Sequence, residues 1–157
     1  MNRSPRRAAL ALLTMLVLAL LAACSKTEPD EAALRVGDKI ELERLVALDV
    51  KASKAMRDAD DVSMKDAGAA GDILSTRARP SIDLATSSVE AASMKTEWGR
   101  AKKDALLAVL RDRKAELPKY EEAIKGGDPD KMLAAIQAQA DIERRALLVV
   151  AAVQEGR

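Results

Sequence analysis

Gly126-Gly127-Asp128-Pro129-Asp130 divides the chain more clearly than any other stretch, and it predicts a boundary between two helices. Glycine is favoured just after a helix because it adopts the left-handed backbone without a Cβ clash. An aspartate can cap the next helix, and proline suits its first position, where no backbone N–H is needed. We therefore predict a helix over about 128–155.

Two apolar rows run along this predicted helix. The first consists of Ala135, Ala138, Ile142, Ala146, Val149 and Val153, and the second of Leu133, Ile136, Ala140, Leu147 and Val150. A helix that is apolar on two sides needs cover on two sides. Residues 146–153 form an unbroken apolar octet, which favours burial in the core. The alternative is a face that receives a helix from a second copy or another protein.

Upstream, the pattern predicts a helix over 81–117 with Ser81 as its N-cap, because a residue before a proline, here Arg79, is biased away from helical geometry. Its apolar row is Leu84, Ala91, Met94, Trp98, Ala101, Ala105, Ala108 and Ala115, widened later by Leu106, Val109, Leu110 and Leu117. Pro118 is expected to stop or kink this helix. Residues 119–125 would add a short helix with Tyr120 and Ile124 inward.

A first helix is predicted over 30–66, with its apolar row at Leu45, Leu48, Ala52, Ala55, Ala59 and Val62. Oppositely charged residues four apart support its exposed side, namely Lys54–Asp58, Arg57–Asp61 and Asp61–Lys65. Asp38 and Glu41 interrupt the row near its start. Gly68 and Gly71 weaken the helix, so residues 67–80 are predicted as a connection, with at most a helical turn around Ile73 and Leu74.

These elements predict an all-α fold, an elongated antiparallel bundle of about three long helices with coiled-coil-like spacing. The third helix is expected between the other two. The domain would span residues 31–157, after a polar tether over 24–30.

The N-terminal segment has the organisation of a secretory signal. Arg3, Arg6 and Arg7 precede an uncharged run over 8–23, and the sequence turns polar from Ser25 onward. A basic head, an apolar middle and small residues before a boundary define such a signal. The run is shorter than the roughly 20 residues that a membrane-spanning helix needs.

The boundary Leu21-Ala22-Ala23-Cys24 resembles the lipobox of bacterial prolipoproteins, a match confined to residues 1–24. The resemblance implies that the Cys24 thiol receives a diacylglycerol and that residues 1–23 are removed. It also implies acylation of the new amine, for example by palmitate. Two or three acyl chains would give a stable membrane anchor, whereas one chain holds only weakly. This covalent lipid is the only prosthetic group that we expect, and we expect no dissociable cofactor.

Ser25 bears on the membrane to which such an anchor is sorted. In the lipoproteins of enteric bacteria an aspartate after the cysteine favours the inner membrane, and serine is similar to what outer-membrane members carry. The resemblance therefore implies a cell-envelope protein, with the outer membrane facing the periplasm preferred over the inner membrane.

Composition argues against several other classes of function. Removal of residues 1–23 takes away three of the 26 basic residues and none of the 25 acidic ones, which leaves no basic excess for nucleic acid. Histidine is absent, so the commonest general base and transition-metal ligand are missing. Cys24 is the only cysteine, and no disulfide within the domain is expected.

No motif predicts a catalytic or metal site. Asp58, Asp60 and Asp61 do not fit a calcium loop, because Ser63 stands where glycine is required. Gly126-Gly127 lacks the Gly-Lys-Ser/Thr of a phosphate loop, and Glu97, Glu121 and Glu122 have no nucleophile beside them in sequence. We expect no enzyme.

Two hypotheses about function remain. The first is a membrane-anchored, non-enzymatic envelope lipoprotein with a structural or protein-interaction role, whose candidate partner face includes Trp98, Leu147 and Val150. Its partner would be a helical protein or a second copy. The second is a binding module for an apolar small molecule, a lipid or an unfolded client in a cleft between helices, for which Met56, Met64, Met94 and Met132 would provide an adaptable lining.

Overall fold

The computed structural model describes residues 30–156, which form helices joined by short turns. The helical elements are α1 (Glu31–Ser63), α2 (Ala67–Ile73), a π-helical turn (Leu74–Ala78), α3 (Arg79–Ala91), α4 (Glu97–Gly126) and α5 (Pro129–Gln154). The predicted all-α class is confirmed. Because the chain is continuously helical from α2 to α3, the bundle has four helices rather than three.

Contacts between distant residues show that α1 and α5 run antiparallel. Near one end of the bundle the Lys39 ammonium donates to the carbonyl of Gln154 over 2.8 Å. Farther along, the Ser53 hydroxyl donates to Glu143 on α5 over 2.5 Å. The helix α4 lies against both α3 and α5. The short connections account for this arrangement because they favour antiparallel neighbours.

The apolar core consists mainly of two clusters, one towards each end of α1. One cluster includes Ala52, Ala55, Met56, Ala59, Leu74, Ile82, Leu117, Tyr120 and Ile124. The other includes Leu42, Leu45, Val46, Ala85, Val89, Met94, Leu106, Leu110 and Val153. Every long helix contributes apolar side chains to these clusters, and burial of apolar surface is the dominant favourable term in folding.

The helix α1 matches its predicted bounds to within a few residues, and Leu45, Ala52, Ala55 and Ala59 are buried as predicted. Lys54 and Asp58 form the predicted ion pair, with 2.9 Å between Nζ and Oδ1. The Arg57 guanidinium instead pairs with Glu143 on α5, so its predicted pairing with Asp61 on the exposed side is wrong.

The predicted connection over 67–80 is wrong, because this segment is helical. Asp66 starts α2 by accepting a hydrogen bond from the backbone N–H of Ala69 over 2.9 Å. The wide π turn then precedes Pro80, and the N–H of Arg79 donates to the carbonyl of Leu74, five residues back. We attribute helix continuation to this wider turn, which relieves the clash between a proline ring and the carbonyl four residues before it.

The predicted helix over 81–117 is also wrong, because the chain breaks between Ala91 and Glu97. Ser81 lies inside α3, and the N-cap of α4 is Thr96, whose hydroxyl accepts from the N–H of Gly99. The predicted apolar row also follows the wrong side of both helices. Most of its members are exposed, namely Leu84, Ala91, Ala101, Ala108 and Ala115, whereas Ile82, Ala85 and Val89 of α3 and Leu106 and Leu110 of α4 are buried.

Asp38 joins α1 to the beginning of α4. Its buried carboxylate accepts hydrogen bonds from the backbone N–H groups of Lys95 and Thr96, over 2.8 and 2.7 Å, and from the Thr96 hydroxyl over 2.7 Å. Although burial opposes the charge, these hydrogen bonds hold the pKa of Asp38 below its ordinary value. Asp38, which interrupts the apolar row of α1, therefore fixes α1 to the beginning of α4.

The boundary between α4 and α5 is confirmed. Gly127 has a φ of 60°, and Asp128 accepts hydrogen bonds from the N–H groups of Asp130 and Lys131. Pro118 does not stop α4, which continues to Gly126. Residues 119–125 are therefore part of α4 rather than a separate helix, and Tyr120 and Ile124 are buried in it as predicted.

Candidate binding site in the helical bundle

A buried ion pair lies in the middle of the bundle. Arg113 on α4 and Asp49 on α1 are each 1% exposed, and 3.2 Å separates Nη2 of Arg113 from Oδ1 of Asp49. Nη2 also lies 3.4 Å from Oε2 of Glu143 on α5. Three helices therefore supply one charged side chain each to a common point.

The helical phase places these charged residues in the core. Asp49 follows the buried residues Leu42, Leu45 and Val46 at helical spacing on α1. Arg113 lies between Leu110 and Leu117 on the buried side of α4. Burial of one such charge alone is costly, and it is tolerated here because each charge has an opposite partner.

Glu143 forms the edge of this cluster. It accepts the Ser53 hydroxyl and pairs with the Arg57 guanidinium, both over 2.5 Å. Burial opposes its charge, but the Ser53 hydrogen bond and the charges of Arg113 and Arg57 hold its pKa below the ordinary value. A carboxylate with a lowered pKa is a weak general base, so the Ser53–Glu143 pair is poorly suited to activate a nucleophile.

The deeper carboxylate, Asp49, behaves in the opposite way. Burial raises its pKa, and the nearby charge of Arg113 opposes this shift. The two carboxylates that share Arg113 therefore differ because one is enclosed by the core and the other lies at its edge.

Several buried polar atoms of this cluster have no hydrogen-bond partner. They are Nε of Arg113, both amide atoms of Gln139 and Oδ1 of Asp49, which lies within ion-pair distance of Arg113 but does not accept a hydrogen bond. Buried polar atoms normally have such partners, so a group of unsatisfied atoms in one place distinguishes this part of the bundle from an ordinary apolar core.

A half-open cleft of about 190 Å³ lies beside these atoms, between α1, α4 and α5. Its polar lining consists of Ser53, Arg57, Asp60, Arg113, Gln139 and Glu143, and its apolar lining is Met56, Tyr120, Ile136 and Ala140. The Tyr120 hydroxyl is held by a 2.7 Å hydrogen bond to Asp60, and burial together with this carboxylate raises its pKa. The lining of the cleft therefore combines apolar walls with charged and amide groups from three helices.

A second feature is the apolar surface that α5 leaves exposed. Leu133, Ile136, Leu147 and Leu148 are 55, 39, 60 and 67% exposed. The first predicted row of α5 is buried at Ala135, Ile142, Ala146 and Val153, whereas the second predicted row is largely exposed. The apolar octet over 146–153 is therefore divided between core and surface, rather than buried as a whole.

The three residues predicted for a partner face lie in different environments. Trp98 and Val150 are partly buried against the core cluster that contains Leu106, and the Arg35 guanidinium lies 4.9 Å from the centre of the Trp98 ring. Leu147 is the one of the three with a largely exposed side chain. Their role in binding a partner stays a prediction.

Sequence reasoning missed Asp49, Arg113, Gln139 and Glu143, because charged and amide residues are normally assigned to the surface. The one available signal was the spacing of Leu106, Leu110 and Leu117, which places Arg113 on the same side of the helix. Of the four predicted methionines, Met56 lines the cleft, Met94 and Met132 pack against core clusters, and Met64 is exposed.

Cys24 and the lipobox residues Leu21, Ala22 and Ala23 lie outside the described residues. Among the helices within residues 30–156, none has the apolar stretch that spanning a lipid bilayer requires. The same part of the chain contains no group of three or more acidic side chains positioned to hold a metal ion.

No protein-family model, curated protein or solved structure matches the chain.

Proposed function

We propose that this protein is a non-enzymatic lipoprotein of the bacterial envelope, anchored through Cys24, that associates with a second copy of itself through α5. The exposed leucines and isoleucine of α5 carry this proposal. Several exposed large apolar side chains on one helix of a domain can mark a site of protein interaction.

The spacing of the exposed residues favours a second copy as the occupant. Ala140 is exposed and lies midway between Leu133 and Leu147, seven residues from each. In a two-fold symmetric contact centred on Ala140, Leu133 of one copy would face Leu147 of the other. The small side chain of Ala140 would let the two helices approach closely where they cross.

The proposed anchor would support this association. The tether from Cys24 to the start of α1 can span at most about 25 Å, so both copies would stay near one membrane. Confinement to a common surface raises the effective concentration of two weakly associating domains. A modest apolar contact would then be sufficient.

The proposal is tested by oxidative crosslinking of the full chain in bacterial membranes. We expect Ala140→Cys to give a disulfide-linked dimer, because two Cα atoms at a two-fold axis lie within disulfide range. The unsubstituted chain and Ala108→Cys, which places a thiol on an exposed position of α4, are the controls. Adding Leu147→Glu to Ala140→Cys should abolish the dimer.

An Ala140→Cys chain that remains monomeric to the same degree as Ala108→Cys would refute self-association through α5. A crosslink from position 140 to a different protein would also contradict the proposal that a second copy of the chain binds α5.

A further inference from the structure

We propose that the outer face of the first three turns of α1 lies on the surface of the lipid bilayer that holds the anchor at Cys24. This outer face consists of Ala33, Val36, Gly37 and Ile40, all of them exposed. The inference rests on the proposed function, because it requires the lipid on Cys24. It goes beyond that function because it assigns the membrane contact to one side of the domain.

The outer face lies opposite the side of α1 that enters the core. Its four residues have the spacing i, i+3, i+4 and i+7, which places them on one side of a helix. The nearby buried residues Asp38, Leu42 and Leu45 occupy the other side. Val36 and Ile40 remain 59 and 64% exposed, although a helix that is apolar on two sides needs cover on both.

The outer face is also the part of α1 nearest to the proposed anchor. The helix α1 begins at Glu31, seven residues after Cys24, so the intervening chain spans at most about 25 Å. Ile40 lies only about 14 Å farther along the helix than Glu31. The bilayer that holds Cys24 would therefore be within reach of the whole outer face and continuously present beside it.

The distribution of charge along α1 favours a membrane over a second copy of the helix. Beyond Ile40 the same side alternates between charged and apolar residues, namely Glu43, Arg44, Ala47, Val50, Lys51 and Lys54. The longest run of exposed positions without a charge in α1 is therefore the one beside the tether. A bilayer that meets an inclined helix contacts only its first turns, whereas a helix from a second copy would need an apolar row along the length of α1.

Ion pairs at the edge of the outer face indicate an apolar contact rather than attraction to anionic headgroups. The Lys39 ammonium lies 3.9 Å from the Glu43 carboxylate, and the Arg44 guanidinium lies 2.7 Å from the Glu41 carboxylate. Each basic group is therefore balanced by an acidic one. A contact made by apolar side chains is affected little by salt, whereas exposed charges are screened by it.

The contact is tested with the full chain purified from bacterial membranes and reconstituted in phosphatidylcholine vesicles that contain a lipid with a nitroxide on its headgroup. Gly37→Cys carries a fluorescent label on the outer face, where a Cβ meets nothing within 4 Å. Ala101→Cys is the matched control, because Ala101 is exposed on α4 at the same end of the bundle, five residues after Thr96, which is bonded to Asp38. Every chain also carries Leu147→Glu, so that a partner copy cannot shield the label.

We expect the nitroxide to quench the label on α1 at least about twofold more strongly than the label on α4, because an interfacial helix lies about 5–10 Å into the headgroup boundary. The difference should be the same at low and at high salt. Val36→Glu together with Ile40→Glu should abolish it. Val50→Glu together with Met64→Glu, at two exposed apolar positions farther along α1, should leave it unchanged.

Equal quenching of the two labels would overturn the proposed contact. So would a difference that Val36→Glu and Ile40→Glu do not reduce, or one that high salt removes. A chain without an introduced cysteine should take up no label, because the lipid blocks its single thiol at Cys24. Uptake of label there would refute the anchor and this contact together, whereas no uptake with equal quenching would refute the contact alone.

Discussion

Gly99 occupies a position in the first turn of α4 where any side chain would collide with Asp38. A Cβ atom at Gly99 would lie 2.2 Å from Oδ2 of Asp38 and 2.7 Å from its carboxyl carbon. The carboxylate cannot move away without losing its hydrogen bonds to Lys95 and Thr96. The absence of a side chain at one residue thus permits the polar junction between α1 and α4.

Substitution of glycine by alanine should therefore have opposite effects at two helical positions. Gly99→Ala is expected to destabilise the fold by about 2–4 kcal/mol, because it displaces a buried hydrogen-bonded carboxylate. Gly71→Ala in α2 should stabilise it by up to about 1 kcal/mol, since a Cβ there meets nothing within 4 Å. Urea denaturation measures both, and a gain in stability at Gly99 would contradict the role given to Asp38.

Asp38 should also contribute to acid sensitivity. Its pKa is lowered in the folded chain, so its stabilising effect is complete above the unfolded pKa of about 3.9 and is lost as the pH falls through the folded value. We expect the free energy of unfolding to fall less steeply below pH 4 in Asp38→Asn than in the unsubstituted chain. Identical slopes in urea denaturation series across pH would rule out this contribution.

Arg113 and Arg111 are two arginines of α4 with opposite surroundings. Arg113→Met should destabilise the fold by about 3–5 kcal/mol, because it leaves Asp49 buried without its counter-charge. Arg111 is largely exposed and pairs with Glu90 on the surface, so Arg111→Met should change stability by less than about 1 kcal/mol. Adding Asp49→Leu to Arg113→Met should recover part of the loss. A double variant no more stable than Arg113→Met would refute this reading of the ion pair.

At the scale of elements, helix boundaries with their own local chemistry could be predicted from the sequence. Gly127 ends α4 because glycine readily adopts the left-handed backbone conformation. Asp128 starts α5 because its side chain caps the first backbone N–H groups of that helix. The break over 92–96 was missed because it contains neither glycine nor proline. It is stabilised by Asp38, more than fifty residues away in the chain, and such a partner has no local signature.

The candidate cleft was unpredictable for a related physical reason. Its polar members come from α1, α4 and α5, and each taken alone resembles an ordinary surface residue. Only packing of the three helices gives Arg113 its buried partners. The apolar rows that produce this packing were predicted correctly for α1 and for one side of α5, but not along 81–117, where the predicted row follows the exposed side of α3 and α4.

Proline has different expected effects inside α4 and at the start of α5. Pro118 removes a backbone donor from the helix interior, so Pro118→Ala should stabilise the fold by about 1–3 kcal/mol. Pro129 lies at the beginning of α5, where the donor is not needed, and Pro129→Ala should have little effect. Thermal and urea unfolding measure both variants. Equal effects would show that Pro118 is accommodated without cost.

At the scale of the whole molecule, the proposed lipid anchor would limit how the exposed apolar side of α5 can associate. An isolated domain with leucines exposed on one helix tends to associate nonspecifically. A domain held at a membrane beside identical copies would instead meet one favoured partner in a limited range of orientations. Anchoring at Cys24 is therefore the central condition of the proposed function.

Anchoring is tested most directly by intact-mass analysis of the protein purified from bacterial membranes, beside a Cys24→Ala control. We predict a mass equal to residues 24–157 plus a diacylglycerol and an acyl chain, and no such species from the control. A mass equal to the full precursor, or to a cleaved chain without lipid, would contradict the proposed anchor.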